Sequence, residues 1–293
     1  MRGITALNLQ QWADTLAARN VFPGMVADLI RASSRDISNI RFPNGDKGQV
    51  RGFDGVLEAA GVHPYVPDGL SIWEFGVNAG AAAKAETDFK KRTTEVDKAR
   101  RMETSFVFVS PRTWDNPKKK LADWVDDKKK LGEWKDVLYL DGSMVEDWLC
   151  SAPAVSARYA KYELNCFPAA GVRSTDEFWD EYSTRFGPQL VEAVLLAGRV
   201  QQAEDLVRKF SEGVSKLPYA ADSPDEVVAF AIAAIRSAPT DVRYFLEART
   251  LVVDTEDAAR QVAGSSGLSF LPRSQARQLA GLLAQKGEST RIY

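Results

Sequence analysis

Gln49-Val50-Arg51-Gly52-Phe53-Asp54-Gly55-Val56-Leu57-Glu58 is followed, after a turn over 61–64, by Val66-Pro67-Asp68-Gly69-Leu70-Ser71-Ile72-Trp73-Glu74-Phe75-Gly76-Val77. The first run is β-rich and carries one acid in its middle. In the second, Pro67 to Gly69 make a turn, and Leu70 to Val77 make a strand with an acid between Trp73 and Phe75. A carboxylate in that company is costly to bury unless a cation neutralises it. Strand side chains alternate, so Asp54 shares a face with Val56 and Glu58, and Glu74 shares one with Ile72 and Gly76. On neighbouring strands, Asp54 and Glu74 would converge on one divalent ion.

Beyond this pair, the small run Ala79 to Ala83 leads into a helix expected from about Lys84 to Arg101. Ala85, Phe89, Val96 and Ala99 form its apolar side, and Lys84, Asp88, Lys91 and Glu95 its polar side. Lys84, on the first turn of a helix, is placed to meet a phosphate. The other reading is a solvated face with i, i+4 pairs. Ser105 to Ser110 is a continuous apolar run suited to a central strand, and Asp136 to Asp141 supplies another. Ser143 with Glu146 reads as a capping box, and Pro153 starts a helix through about Leu164.

Before the pair, Leu7 to Arg31 reads as helix, broken near Phe22-Pro23-Gly24, and Ile37 to Phe42 as a first strand. The polar turn Pro43 to Gly48 follows. Lys47, Gln49 and Arg51 would then line a substrate path or belong to an ordinary hairpin loop. The order of helices and strands is that of an α/β protein with a mixed sheet covered on both faces.

The chain has 293 residues, enough for two domains, with 45% hydrophobic and 27% charged content. No apolar run approaches a membrane span and no signal segment opens the chain, so a cytoplasmic location is the expectation. Cys150 and Cys166 fit neither a disulfide framework nor a zinc site, and His63 is the one histidine. Any metal is therefore expected on oxygen ligands. The net charge of −2 argues against coating nucleic acid by bulk electrostatics and leaves room for a local basic channel. Trp114, Trp124 and Trp134 alternate with lysine triplets at 118–120 and 128–130, a pattern that can stack on nucleic acid. Interspersed Asp and Glu offset that charge, and core anchoring is the preferred reading. His63 lies between the two acidic strands and is read as a surface turn residue.

These residues resemble a known family. Arg51-Gly52-Phe53-Asp54-Gly55, Trp73-Glu74-Phe75-Gly76, Lys84-Ala85, Asp88-Phe89 and Arg92-Thr93 are similar to the PD-(D/E)XK nuclease superfamily, which has the restriction-endonuclease-like fold. Within it they resemble the N-terminal nuclease domains of large bacterial anti-phage defence proteins of the STAND ATPase type. The likeness runs on through Asp147-Trp148-Leu149 and Ala152 to Val155, so a nuclease-like domain is expected over 1–165. It departs at Gly76, where the superfamily pattern has lysine, and Lys84 is the natural substitute. The resemblance implies a DNA endonuclease using Mg²⁺ or Mn²⁺, with Asp54, Glu74 and the Phe75 carbonyl as ligands and Lys84 as the third catalytic residue. Glu58, Asp88 and Lys91, with Lys47, Gln49 and Arg51, would face the substrate. It also implies self-association as a trigger and a sensor region or partner protein. The competing expectation is a catalytically inactive module for nucleic-acid binding or assembly.

A linker is expected near Asn165 to Ser174, with Ser174 and Glu177 as a second capping box. Strands at Ala193–Leu196, 217–220, Leu251–Val253 and 268–271 alternate with helices at 200–210, 224–237, 256–263 and 274–286. That alternation predicts a small α/β domain with a parallel sheet over 174–293. Leu195 to Arg199 resembles the entry of a signal-transduction ATPase, but the phosphate-gripping loop is absent and the corresponding turn, Ala221-Asp222-Ser223-Pro224-Asp225, is acidic. A degenerate nucleotide-fold module is expected. Thr290, Ile292 and Tyr293 favour a strand, either the last of this sheet or the start of a chain that continues into a sensor.

Overall fold

The computed structural model describes residues 3–34, 36–43, 52–61, 63–166, 171–214, 217–219, 221–262, 269–272 and 290–291. Two compact units form, one of Ile4–Leu149 and one of Cys150–Tyr293 with Met1–Gly3.

The first unit runs α1 (Ala6–Trp12), α2 (Leu16–Ser33), β1 (Asp36–Arg41), β2 (Gly55–Ala60), β3 (Gly69–Phe75), α3 (Ala81–Glu95), α4 (Lys98–Glu103), β4 (Thr104–Val109), α5 (Leu121–Lys130), β5 (Asp136–Leu140) and α6 (Gly142–Ser151). Its mixed sheet has the order β1-β2-β3-β4-β5. β1, β2 and β3 pair antiparallel, while β3, β4 and β5 pair parallel. Alternation along β3 decides what each layer holds. Ile72 joins Phe106, Phe108, Val137 and Tyr139 in a core closed by Phe89 of α3 and Trp124 of α5. Trp73 and Phe75 point the other way, where Phe22 of α2 meets Phe75 edge to face at 5.7 Å.

The N-terminal helix breaks at 13–15 rather than at Pro23. Thr15 caps the Ala18 amide at 3.2 Å, and Pro23 lies inside α2. Proline costs that helix one donor, but Phe22, Met25, Val26, Leu29 and Ile30 are fully buried around it, and their packing holds the helix through. The helix expected over 84–101 begins earlier, at Ala81, and is two helices, because Val96 is extended (φ −105°, ψ 131°) after the β-branched pair Thr93-Thr94. Asp141, not Ser143, caps α6: its Oδ1 accepts from the Ser143 and Met144 amides at 3.0 and 3.2 Å. Glu146 instead accepts from the Ala6 amide at 2.6 Å.

The second unit contains α7 (Pro153–Tyr159), a π-helical turn (Ala160–Leu164), β6 (Val172–Arg173), α8 (Thr175–Ser183), α9 (Glu192–Leu196), α10 (Val200–Ser211), α11 (Pro224–Arg236), α12 (Thr240–Glu247), β7 (Thr250–Val253), α13 (Glu256–Val262), β8 (Ser269–Pro272) and β9 (Thr290–Arg291). The chain divides after Leu149, ahead of the expected linker, because Ala154 and Ala157 of α7 bury against Leu251 and Val253 of β7. The sheet runs β6-β7-β8-β9, with β6 antiparallel to β7 and the rest parallel.

Two expected strands are corrected. Residues 193–196 belong to helix α9, and 217–219 lie outside the named strands. Apolar runs of four residues do not separate strand from helix by periodicity. Here Leu195 and Leu217 are instead drawn into the helical core around α11, whose residues Val228 to Ile235 are all buried. The turn at 221–225 starts α11, with Ser223 capping the Glu226 amide. The capping box of Ser174 and Glu177 forms as expected at the start of α8. The helix expected over 274–286 lies outside the described residues.

Candidate functional site

Glu74 is 2% exposed, and a single side chain neutralises it: Arg92 of α3 donates through Nε to Glu74 Oε1 at 2.6 Å. The same guanidinium reaches the Gly52 carbonyl through Nη2 and Glu95 Oε2 through Nη1, both at 2.7 Å. Burial pushes the Glu74 carboxyl up to about 7, the Arg92 hydrogen bond opposes that, and negative charge on Asp54 and Asp88 adds to it.

Asp54 precedes β2, one residue short of the strand expected to carry it. The ladder ends with Gly55 opposite Trp73, and its register carried one residue further sets Asp54 against Glu74. Asp54 Oδ2 accepts from the Phe75 amide at 3.1 Å, taking the place of the next backbone rung. The Phe75 carbonyl follows that amide at the end of β3. Asp54 Oδ1 and Glu74 Oε2 enter no hydrogen bond among the described residues.

Gly76 follows two residues after Glu74 on the same face. Its amide donates to the Val109 carbonyl at 3.0 Å, and its own carbonyl accepts from Ser110 Oγ at 2.8 Å. Lys84 comes alongside from α3 and pairs with Asp88, Nζ to Oδ2, at 2.5 Å, with Nζ 5.7 Å from the centre of the Phe108 ring. Lys84, Asp88 and Arg92 lie at i, i+4 and i+8 on α3, so one edge of the helix presents a cation, an anion and a cation to the ends of β2 and β3.

The remaining expected residues separate from this group. Glu58 is exposed and pairs with Leu70, roughly 13 Å along the strand from Asp54. Lys91 is exposed on α3. Lys47, Gln49 and Arg51 lie outside the described residues. The start of α3 is taken by an internal acid, since Asp115 accepts from the Gly80 and Ala82 amides, and that end is not open to a phosphate as expected. His63 packs on Tyr65 and Trp148. The tryptophans are core anchors: Trp124 and Trp134 are buried, and the three indole N–H groups bond Lys119 O, Glu86 and Thr93. In the lysine triplets, Lys119, Lys128, Lys129 and Lys130 pair with Asp127, Glu86, Asp136 and Asp127.

Arg92, to which the sequence assigned no role, is the residue that meets Glu74. Its signal was the spacing from Lys84 and Asp88, together with the cation that a buried Glu74 requires. Among the described residues, no group of three or more His, Cys, Asp or Glu side chains is gathered as a metal cluster would be. The available donors are two carboxylates and one carbonyl, all hard oxygen ligands of the kind that suit Mg²⁺. One oxygen of Glu74 is taken by Arg92, so a divalent ion there would use Glu74 Oε2 and Asp54 Oδ1.

Comparisons with protein-family models, curated proteins and solved structures found no match to the chain. Among the described residues, no helix is long and apolar enough to cross a membrane. Cys150 and Cys166 are exposed and form no disulfide among the described residues.

Proposed function

We propose that the first unit is a Mg²⁺-dependent DNA endonuclease of restriction-endonuclease-like fold, the cutting part of a bacterial anti-phage defence protein. The observation that carries this reading is the trio at the end of β3: Asp54 opposite a buried Glu74, with the Lys84 stem beside Gly76, where the family pattern has its lysine. The strand order, antiparallel then parallel with the acids at the junction, supports the fold assignment. Asp54, Glu74 and the Phe75 carbonyl would hold the ion, which when bound makes a water nucleophilic at neutral pH and offsets phosphate charge. Lys84, kept in place by Asp88, would stabilise the charge that develops on the phosphate.

Plasmid cleavage with Mg²⁺ or Mn²⁺ tests this. Asp54→Asn, Glu74→Gln and Lys84→Ala are each expected to lower the rate by at least about a hundredfold. Full activity in Glu74→Gln would sink the assignment.

A second reading, a catalytically inactive module for nucleic-acid binding or assembly, is favoured by the Arg92 contact, because a guanidinium already occupies one oxygen of Glu74. It gains if neither ion supports cleavage and neither raises the melting temperature.

A further inference from the structure

We propose that Arg92 is the positioning residue of this site, fixing the Asp54-bearing segment against Glu74 so that the two carboxylates hold one spacing. The inference rests on the nuclease reading and adds a residue to it. Its basis is geometric. One planar guanidinium donates to three separate parts of the chain: Glu74 on β3, the Gly52 carbonyl ahead of β2, and Glu95 on its own helix. It also lies 5.1 Å from the centre of the Phe53 ring, so it holds the residue before Asp54 by its face as well. Two residues beyond Gly52, Asp54 is tied to β3 by the Phe75 amide. The 52–54 segment is thus held at Gly52 by Arg92 of α3, which also grips Glu74, and at Asp54 by β3 itself.

A role confined to neutralising a buried acid would need one cation near Glu74 and nothing at Gly52. The contact to Gly52 is what a neutralising role leaves unexplained. A guanidinium carries five N–H donors in a rigid fork, whereas a lysine ammonium is a point charge on a flexible stem. Arg92→Lys therefore separates the two roles, since it keeps the charge that Glu74 needs for folding and loses the three-way span.

Residues that orient metal ligands from behind typically cost tenfold to a hundredfold in metal affinity or activity when replaced. For Arg92→Lys, Mn²⁺ binding followed by spin resonance is expected to weaken by about tenfold or more, and cleavage to fall in parallel. Hydrogen exchange at the Phe75 amide is expected to quicken by at least about tenfold, while the Val107 and Phe108 amides of β4 stay as in the wild type. Wild-type Mn²⁺ affinity together with unchanged Phe75 exchange would overturn the proposal and leave Arg92 a neutralising charge only. A wild-type chain that neither binds Mn²⁺ nor cuts DNA overturns the nuclease reading instead, and the exchange result then decides the role of Arg92 by itself.

Discussion

Lys84 runs past the bare backbone of Gly76: a Cβ at position 76 would lie 3.6 Å from Lys84 Cδ and 2.5 Å from Phe108 Cζ. The position where the family pattern has lysine is thus closed by a fully buried ring and bordered by a lysine from α3. Gly76→Ala is expected to destabilise the protein by about 1–3 kcal/mol, the usual cost of overpacking. Gly76→Lys is expected not to restore cleavage to Lys84→Ala. Urea unfolding checks the first expectation, and wild-type stability in Gly76→Ala would show that Phe108 swings aside freely.

The Glu74 and Arg92 pair is nearly free of solvent, so its worth lies in being complete. Removing Arg92 leaves Glu74 buried without its cation, at a cost of about 3–5 kcal/mol, whereas replacing both by apolar residues of similar volume is often close to neutral. Arg92→Met alone is expected to be far less stable than Glu74→Leu combined with Arg92→Met, since Arg92 without Glu74 keeps Glu95. A double-mutant cycle by urea unfolding measures the coupling, and additive effects would mean that water reaches the pair after all. Any activity assay at Glu74 accordingly uses the Gln variant with its fold verified.

How far these contacts could be read from sequence depended on whether they were local. Glu74 on β3, the apolar strand at 104–109 and the Ser174 capping box follow from alternation, composition and turn chemistry within a few residues, whereas Asp54 falls one residue ahead of β2. The break at Thr15 and the continuity through Pro23 depended on the tertiary burial of Phe22 and its neighbours, which a helix-breaker rule does not contain. The helical fate of 193–196 depended on the core around α11. Arg92 was hidden for the opposite reason. Its spacing was visible, but a basic residue on a charged helix is ordinarily a solvated one, and only the depth of Glu74 draws it inward.

Glu86 ties α3 to α5, accepting from Trp124 Nε1 at 3.0 Å and from Lys128 Nζ at 2.9 Å. Burial pushes its carboxyl up, but hydrogen bonds from Lys128, Trp124 and Lys90 outweigh that and hold it from the ordinary 4.5 down to about 2. A carboxyl depressed in the folded state takes up its proton more readily when unfolded. Its contribution is therefore complete above about pH 4.5 and is lost as the pH falls toward about 2. Melting temperatures across that window are expected to fall less steeply in Glu86→Gln than in the wild type. Parallel curves would mean that solvent screens the cluster.

Basic residues on and around α3 and α5 divide into those already committed to acids and those that are not, and DNA binding on the nuclease reading follows that division. Lys128 is held by Glu86 and covered by the Phe89 and Trp124 rings, and Lys119, Lys129 and Lys130 are matched by Asp127 and Asp136. Lys91 is exposed on α3, one residue from Arg92, and enters no ion pair among the described residues. Each lysine that neutralises a phosphate releases a counterion and adds about one to the slope of log affinity against log salt. On the nuclease reading, Lys91→Gln is expected to weaken DNA binding across sequences and to lower that slope by roughly one. Lys129→Gln is expected to leave it unchanged. Trp124→Ala, by contrast, is expected to cost about 3–5 kcal/mol of stability, because its ring fills the core rather than stacking on bases. Anisotropy titrations of a duplex with Ca²⁺ in place of Mg²⁺, repeated at several salt concentrations, give the slopes directly. A Lys129→Gln slope that drops while Lys91→Gln does not would move the DNA path from α3 to the far end of α5.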